Sequence, residues 1–158
     1  MVKPELPVGL KFKVMRKEDS KLMKAIAWVL KPINPNFMSN YYTTIGSTVY
    51  APHGVIPDEV LAHELVHVAD WQRFNILFML SYLLLLPAGI TMRAFWEWRA
   101  YKVTLHWWAY NDLGWTQTQG KAFIVNQFAS GLYAWMWPFK GHLEKQIDKH
   151  IENLIKQV

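Results

Sequence analysis

The stretch Leu61-Ala62-His63-Glu64-Leu65-Val66-His67-Val68-Ala69-Asp70 constrains this chain more than any other. It holds a His63-Glu64-x-x-His67 pattern inside a run that reads as helix. Residues four apart lie one turn on along the same helix face, so the two imidazoles can share a metal ion. Glu64 sits beside them, where a carboxylate can take a proton from water. Shuffling a chain of this composition yields the pattern in roughly one case in a hundred. The plain alternative is two ordinary histidines and a solvated Glu, so the flanking chain has to decide.

Composition limits the choices. A length of 158 residues suits one domain with a sizeable core. At 52% hydrophobic residues and with 9 Trp, the chain is too apolar for disorder. The absence of Cys excludes disulfides, thiolate-bound zinc and thiol nucleophiles, so any metal must be held by His and carboxylate. The net charge of +5 is spread along the chain, with no basic stripe and no recognised module, which argues against nucleic acid as a partner. The opening residues Met1 to Val14 show no early apolar region, which makes a cytoplasmic location the default expectation.

In chain order, Leu10–Val14 alternates apolar and basic residues and predicts a strand with one buried face. Glu18-Asp19-Ser20 supplies N-capping chemistry for a helix over about 20–31, closed by Pro32 and Pro35. Tyr41–Ile45 and Thr48–Tyr50, joined by Gly46-Ser47, form a hairpin signature. Pro57-Asp58-Glu59 then opens the motif helix. Residues 74–90 follow with no charge between Arg73 and Arg93. This segment is slightly short for a membrane span, which needs about 20 apolar residues, and carries Pro87 and Gly89 near its end. A core helix is expected there, with membrane-surface contact or partner docking as open alternatives. Thr91 is the expected cap of a helix from about Met92 to Tyr110. Thr116–Trp137 predicts another, with Phe123, Ile124, Phe128, Leu132, Trp135 and Met136 on its apolar side. The tail stripe of Leu143, Ile147, Ile151, Leu154 and Val158 predicts a helix docked on its own domain, with oligomer contact as the second choice.

Two histidines need at least one more protein ligand. A third His six residues beyond His67 would be one solution, but Arg73 stands there. Asp70 lies on the same helix as the two histidines and is better suited to supporting a ligand or to a surface charge. Glu97, in Phe95-Trp96-Glu97-Trp98-Arg99-Ala100-Tyr101, is the best candidate, because a carboxylate in such an aromatic stretch is costly unless ionically satisfied. Its plain alternative is a salt bridge to Arg93 or Arg99. Ala100 keeps that face narrow enough for two helices to approach. Tyr101, Thr104 and Trp108 fall within about 40° of Glu97 on the helix, whereas His106 lies about 180° away. Tyr101 is a candidate donor to a reaction oxyanion, and packing is the commoner job for such a residue. His53 is a weaker candidate for substrate contact, and His142 and His150 are expected to be solvated.

These residues give the chain a resemblance to the gluzincin branch of zinc metallopeptidases, carried by His63-Glu64-x-x-His67 and, thirty residues later, Glu97-x-x-Ala100-Tyr101. The resemblance covers about residues 41–110 and is similar to that of the minigluzincins, small single-domain members. It also extends to short metallopeptidase-like proteins of bacteria and tailed phages. It implies that His63, His67 and Glu97 bind Zn2+ and that Glu64 is the catalytic carboxylate. Many gluzincins carry Asp where this chain has Tyr101, so the group supporting the histidines is unassigned, with Asp70 as a substitute. The expected architecture is α+β, a mainly helical zincin-like single domain. Residues 10–56 form its strand, helix and hairpin, 57–112 the zinc-site helices and 115–158 the C-terminal helices.

Three functions follow as expectations. The first is a zinc peptidase acting on a peptide or protein substrate laid along the hairpin near Thr44 to Tyr50. The second is a zincin-fold assembly protein, for example a virion component, docking or self-associating through 74–90 and the C-terminal helix. The third is a membrane-associated metallopeptidase, similar to families with hydrophobic segments between the motif and the Glu ligand. Against it, one crossing at 74–90 would separate His67 from Glu97 by about 30 Å of hydrocarbon.

Overall fold

The computed structural model describes residues 2–7, 9–32, 34–83, 92–130 and 136–156. It is mainly helical α+β with a small three-stranded sheet, as the residue pattern predicts. Strand β1 (Lys13–Arg16) leads through a 3-10 turn into α1 (Lys21–Leu30), and a short α2 (Phe37–Asn40) precedes the hairpin β2 (Thr43–Ile45) and β3 (Thr48–Ala51). The Ser20 hydroxyl accepts from the Met23 N–H and caps α1, so the expected start of that helix holds.

The sheet order is β1-β3-β2, with β3 central, parallel to β1 and antiparallel to β2. Gly46 at φ +63° makes the tight turn between the hairpin strands. Thr44 pairs with Val49, and Val49 packs against Leu65 and Val68 of the motif helix. The alternate residues Tyr50 and Ile45 face the other way, into a small core with Met23 of α1. The first strand begins later than the Leu10–Val14 alternation predicts and has no well-buried face. As an edge strand it leaves Val14 exposed.

The motif helix α3 (Asp58–Phe74) and helix α5 (Met92–Asn111) form the central pair. Ala62 and Ala100 are fully buried on these helices, and side chains that small allow a close approach. Between them lies α4 (Ile76–Leu83). Within the described part of the segment, 74–83, α4 is a separate helix from α3. Asn75 separates the two at φ +50°, its N–H held by the Trp71 carbonyl at 2.7 Å. Helix α4 is not buried all round: Phe78 points inward, while Ile76, Leu77 and Leu80 are 48%, 67% and 41% exposed. Thr91 and residues 84–90 lie outside the described residues.

The helix predicted over Thr116–Trp137 is likewise divided. Helix α6 (Leu113–Trp115) runs into a π-helical turn at Thr116–Gly120 and then α7 (Lys121–Ala129), which stops at an extended Ser130. Gly120 is required there, since a Cβ would come within 2.9 Å of Trp115 and 3.1 Å of Trp108. Ile124, Phe128 and Met136 are buried as expected, but Phe123 is exposed, and Leu132 and Trp135 lie outside the described residues.

Helix α8 (Lys140–Lys156) buries Leu143, Ile147, Ile151 and Leu154, and the first three join Tyr101, Leu105, Ile124 and Phe128 in the main core. Each such side chain contributes roughly 1.5–3 kcal/mol. Its apolar stripe is thus covered by the chain itself; Val158 lies outside the described residues. His150, expected to be solvated, is half-buried with Nε2 at 3.2 Å from the Lys102 carbonyl.

Candidate metal centre

Helix α3 presents His63 and His67 on one face, and α5 lays Glu97 against them. His63 Nε2 lies 3.5 Å from Glu97 Oε2, and His67 Nε2 lies 3.7 Å from Glu97 Oε1. One donor atom from each of the three residues falls within 4.8 Å of the others. A charged N–H···O bond would be shorter, about 2.7–2.9 Å. Two donors on one tetrahedral ion, each bonded at about 2.0–2.1 Å, sit about 3.4 Å apart. The spacing is compatible with three residues that could hold one metal ion. The anticipated salt bridges of Glu97 to Arg93 or Arg99 do not take up this carboxylate: Arg99 pairs with Asp70, and Arg93 lies over the Tyr82 ring.

The surroundings orient the ligands. His63 Nδ1 lies 3.1 Å from Thr104 Oγ1, and that hydroxyl donates to the Ala100 carbonyl at 3.4 Å. A hydroxyl donating backwards along its helix accepts from an Nδ1–H, which leaves the Nε2 lone pair facing Glu97. The Tyr82 hydroxyl donates to Glu97 Oε1. Phe78 stacks on His67 with ring centres 6.1 Å apart, and Tyr101 meets His63 edge-on at 4.7 Å. Glu64 is buried beside the triad, and its Oε2 accepts the Thr44 hydroxyl at 2.6 Å.

The electrostatics favour one cation among these groups. Burial opposes charge on His63, yet the carboxylates of Glu97 and Glu64 outweigh it and raise its pKa. For His67 burial wins over Glu97, and the neighbouring His63 disfavours a second positive charge, so its pKa falls. Burial alone would raise Glu97, but His63, His67 and Tyr82 bring it down to about 2. Burial first, then the Glu97 charge, pushes the Tyr82 phenol well above its usual value.

The remaining candidates take different places. Asp70 is fully buried and ion-paired to Arg99, not hydrogen-bonded to a histidine. Burial raises its pKa even against the Arg99 charge. Asp70 Oδ2 and His67 Nδ1 are both buried with no hydrogen-bond partner among the described residues. Tyr101 packs on Phe128 within the main core and forms a wall of His63. His106 lies off the site, as its angle predicts, with Nε2 at 3.1 Å from the Val2 carbonyl. His53 is exposed at the turn after β3, and the His142 ring packs near Trp137. A cleft of about 560 Å³ opens on the far side of α5, beside Val103, His106 and His150; it contains none of the three ligands.

Thr104 shares the Glu97 face in the residue pattern without a role marked there, and no pattern marks Thr44 or Tyr82 as a support or Arg99 as the partner of Asp70. Thr104 was findable, because a hydroxyl seven residues after a ligand shares its helix face. Tyr82 carried no such signal, since its approach depends on the break at Asn75. No helix among the described residues is long and apolar enough to cross a membrane. No protein-family model matches the chain, and no curated protein or solved structure is significantly similar to it.

Proposed function

We propose that this chain is a zinc-dependent peptidase, with His63, His67 and Glu97 as metal ligands and Glu64 as the proton-transferring carboxylate. The observation that carries the reading is the convergence of three ligand atoms within 4.8 Å of one another, with a buried carboxylate beside them. Neutral imidazoles and a carboxylate suit Zn2+, and a site without Cys matches catalytic zinc chemistry. When bound, the ion supplies Lewis acidity, acidifying water and polarising a carbonyl. Thr44 holds Glu64 by Oε2 and leaves the other oxygen to accept a proton from water and return it to the leaving amine. Tyr101, edge-on to His63, is the candidate donor to the developing oxyanion.

The edge of the sheet limits where a substrate can lie. Strand β3 is paired on both sides, so an extended peptide would add to the outer edge of β2 and not along the whole Thr44–Tyr50 hairpin. Thr44 then links the substrate strand directly to Glu64. The test is cleavage of a peptide library by zinc-loaded protein against Glu64→Gln. Zinc near one per chain in both, with cleavage lost in the variant, is expected. Undiminished cleavage by Glu64→Gln would remove Glu64 from the chemistry.

A second reading, an assembly protein retaining a metal site, is favoured by the outward face of α4, where Ile76, Leu77 and Leu80 are exposed side by side. It expects self-association or a stable partner complex. A monodisperse monomer at high concentration would count against it. A single membrane crossing between the ligands is disfavoured by the 3.7 Å separation of His67 from Glu97.

A further inference from the structure

The inner face of helix α4 reaches the candidate ligands. Tyr82 donates its hydroxyl to Glu97 Oε1, which also lies 3.7 Å from His67 Nε2, while Glu97 Oε2 faces His63 Nε2 at 3.5 Å. The Tyr82 ring is fixed on three sides. It stands edge-on to His67 with ring centres 6.0 Å apart, tilts against Phe78 at 5.7 Å, and carries the Arg93 guanidinium 5.2 Å from its centre. Helix α4 is itself tied to α5 by Trp96 Nε1 donating to Ser81 Oγ at 3.0 Å.

We propose that Tyr82 is the positioning residue of the metal centre, holding one oxygen of Glu97 so that the other is presented to the ion. The inference rests on the metal-centre reading above. A buried carboxylate with a free oxygen can rotate about its terminal torsion or accept hydrogen bonds from both histidine N–H groups. A phenol on Oε1 removes that freedom without adding charge. Partners of this kind typically govern metal affinity by about 10- to 100-fold. The arrangement also makes α4 part of the centre: the break at Asn75 turns the chain so that one face of a short apolar helix delivers a single hydroxyl.

The test compares zinc dissociation constants of the full chain and Tyr82→Phe by competition with a chromogenic chelator, beside the visible spectrum of the Co2+-loaded forms. Tyr82→Phe should bind zinc about 10- to 100-fold more weakly and shift the Co2+ bands, with the apo melting temperature little changed. Ser81→Ala serves as the packing control, since it loosens α4 on α5 without touching Glu97. Affinity of Tyr82→Phe within about twofold of wild type, or an equal loss in Ser81→Ala, overturns the inference while leaving the metal centre standing. A wild type that takes up no zinc defeats the metal-centre reading, and the positioning role with it.

Discussion

Two places in this molecule bury charge, and they do so in opposite ways. Lys17 is completely buried, donates Nζ to the Phe37 carbonyl at 2.7 Å, and sits 3.6 Å from the centre of the Phe37 ring. The cation belongs to the chain, and a carbonyl dipole and an aromatic face accommodate it. The candidate metal centre buries Glu64 and Glu97 against two histidines whose Nε2 atoms face the Glu97 carboxylate. Imidazole and carboxylate donors converge there, in a group that could take up a proton or a metal ion. The first site holds an ammonium of the chain; the second is a buried group of donors that could hold a metal ion.

Removing an inward-facing ligand gives the hardest test of that contrast. Glu97→Ala should weaken zinc binding by at least about 10³-fold, or about 4 kcal/mol, because two imidazoles on one helix cannot complete the site. Competition titration reads this directly. Zinc affinity equal to wild type would mean the cation is not drawn in by Glu97, and the contrast with Lys17 would collapse.

Lys17 supplies the next largest effect. Burial lowers its pKa to about 8, against the attraction of Glu64, while the unfolded chain keeps the ordinary value of 10.5. Between these values the unfolded state binds more protons, so stability attributable to Lys17 rises with pH across the window from about 8 to about 10.5. The whole rise is about 3 kcal/mol. Urea melts of wild type and Lys17→Met along that pH range should show wild type gaining on the variant. A difference that stays flat would mean Lys17 is not a desolvated cation. At pH 7 the variant also strands the Phe37 carbonyl, which offsets part of its gain.

What was legible in the residues was local. Pro57, Asp58 and Glu59 open α3 where they predict, and His63, His67 and Glu97 meet because helical spacing and one lone carboxylate among aromatics are sequence properties. What needed the fold was the choice among partners. Arg99 was a candidate partner for Glu97, yet the crossing of α3 and α5 gives it to Asp70 and leaves Glu97 to the histidines. Asp70, a candidate support for His67, gives its Oδ1 to Arg99, while its Oδ2 and His67 Nδ1 are both buried with no hydrogen-bond partner among the described residues. Lys17 lies in a Lys-Glu-Asp turn, and its burial against Phe37 comes from the fold. A backbone break such as Asn75, with φ +50°, has no reliable residue signature, so α4 and Tyr82 could not be placed beforehand.

The smallest effect sharpens the contrast at one hydrogen bond. If the centre imports its cation, His63 must keep its proton on Nδ1 and its lone pair on Nε2, and Thr104 is the group that enforces this. Thr104→Val keeps the shape but removes the acceptor, so the tautomer loses its anchor and zinc affinity should fall by about tenfold. Thr104→Ser restores the hydroxyl and should recover most of the loss. Nitrogen chemical shifts of His63 in the apo protein, taken above its raised pKa, should show a protonated Nδ1 in wild type and a mixed tautomer in Thr104→Val. A variant with the wild-type tautomer and wild-type affinity would show that Glu97 and the metal alone orient His63, and that the centre is less prepared for its ion than the Lys17 site is for its ammonium.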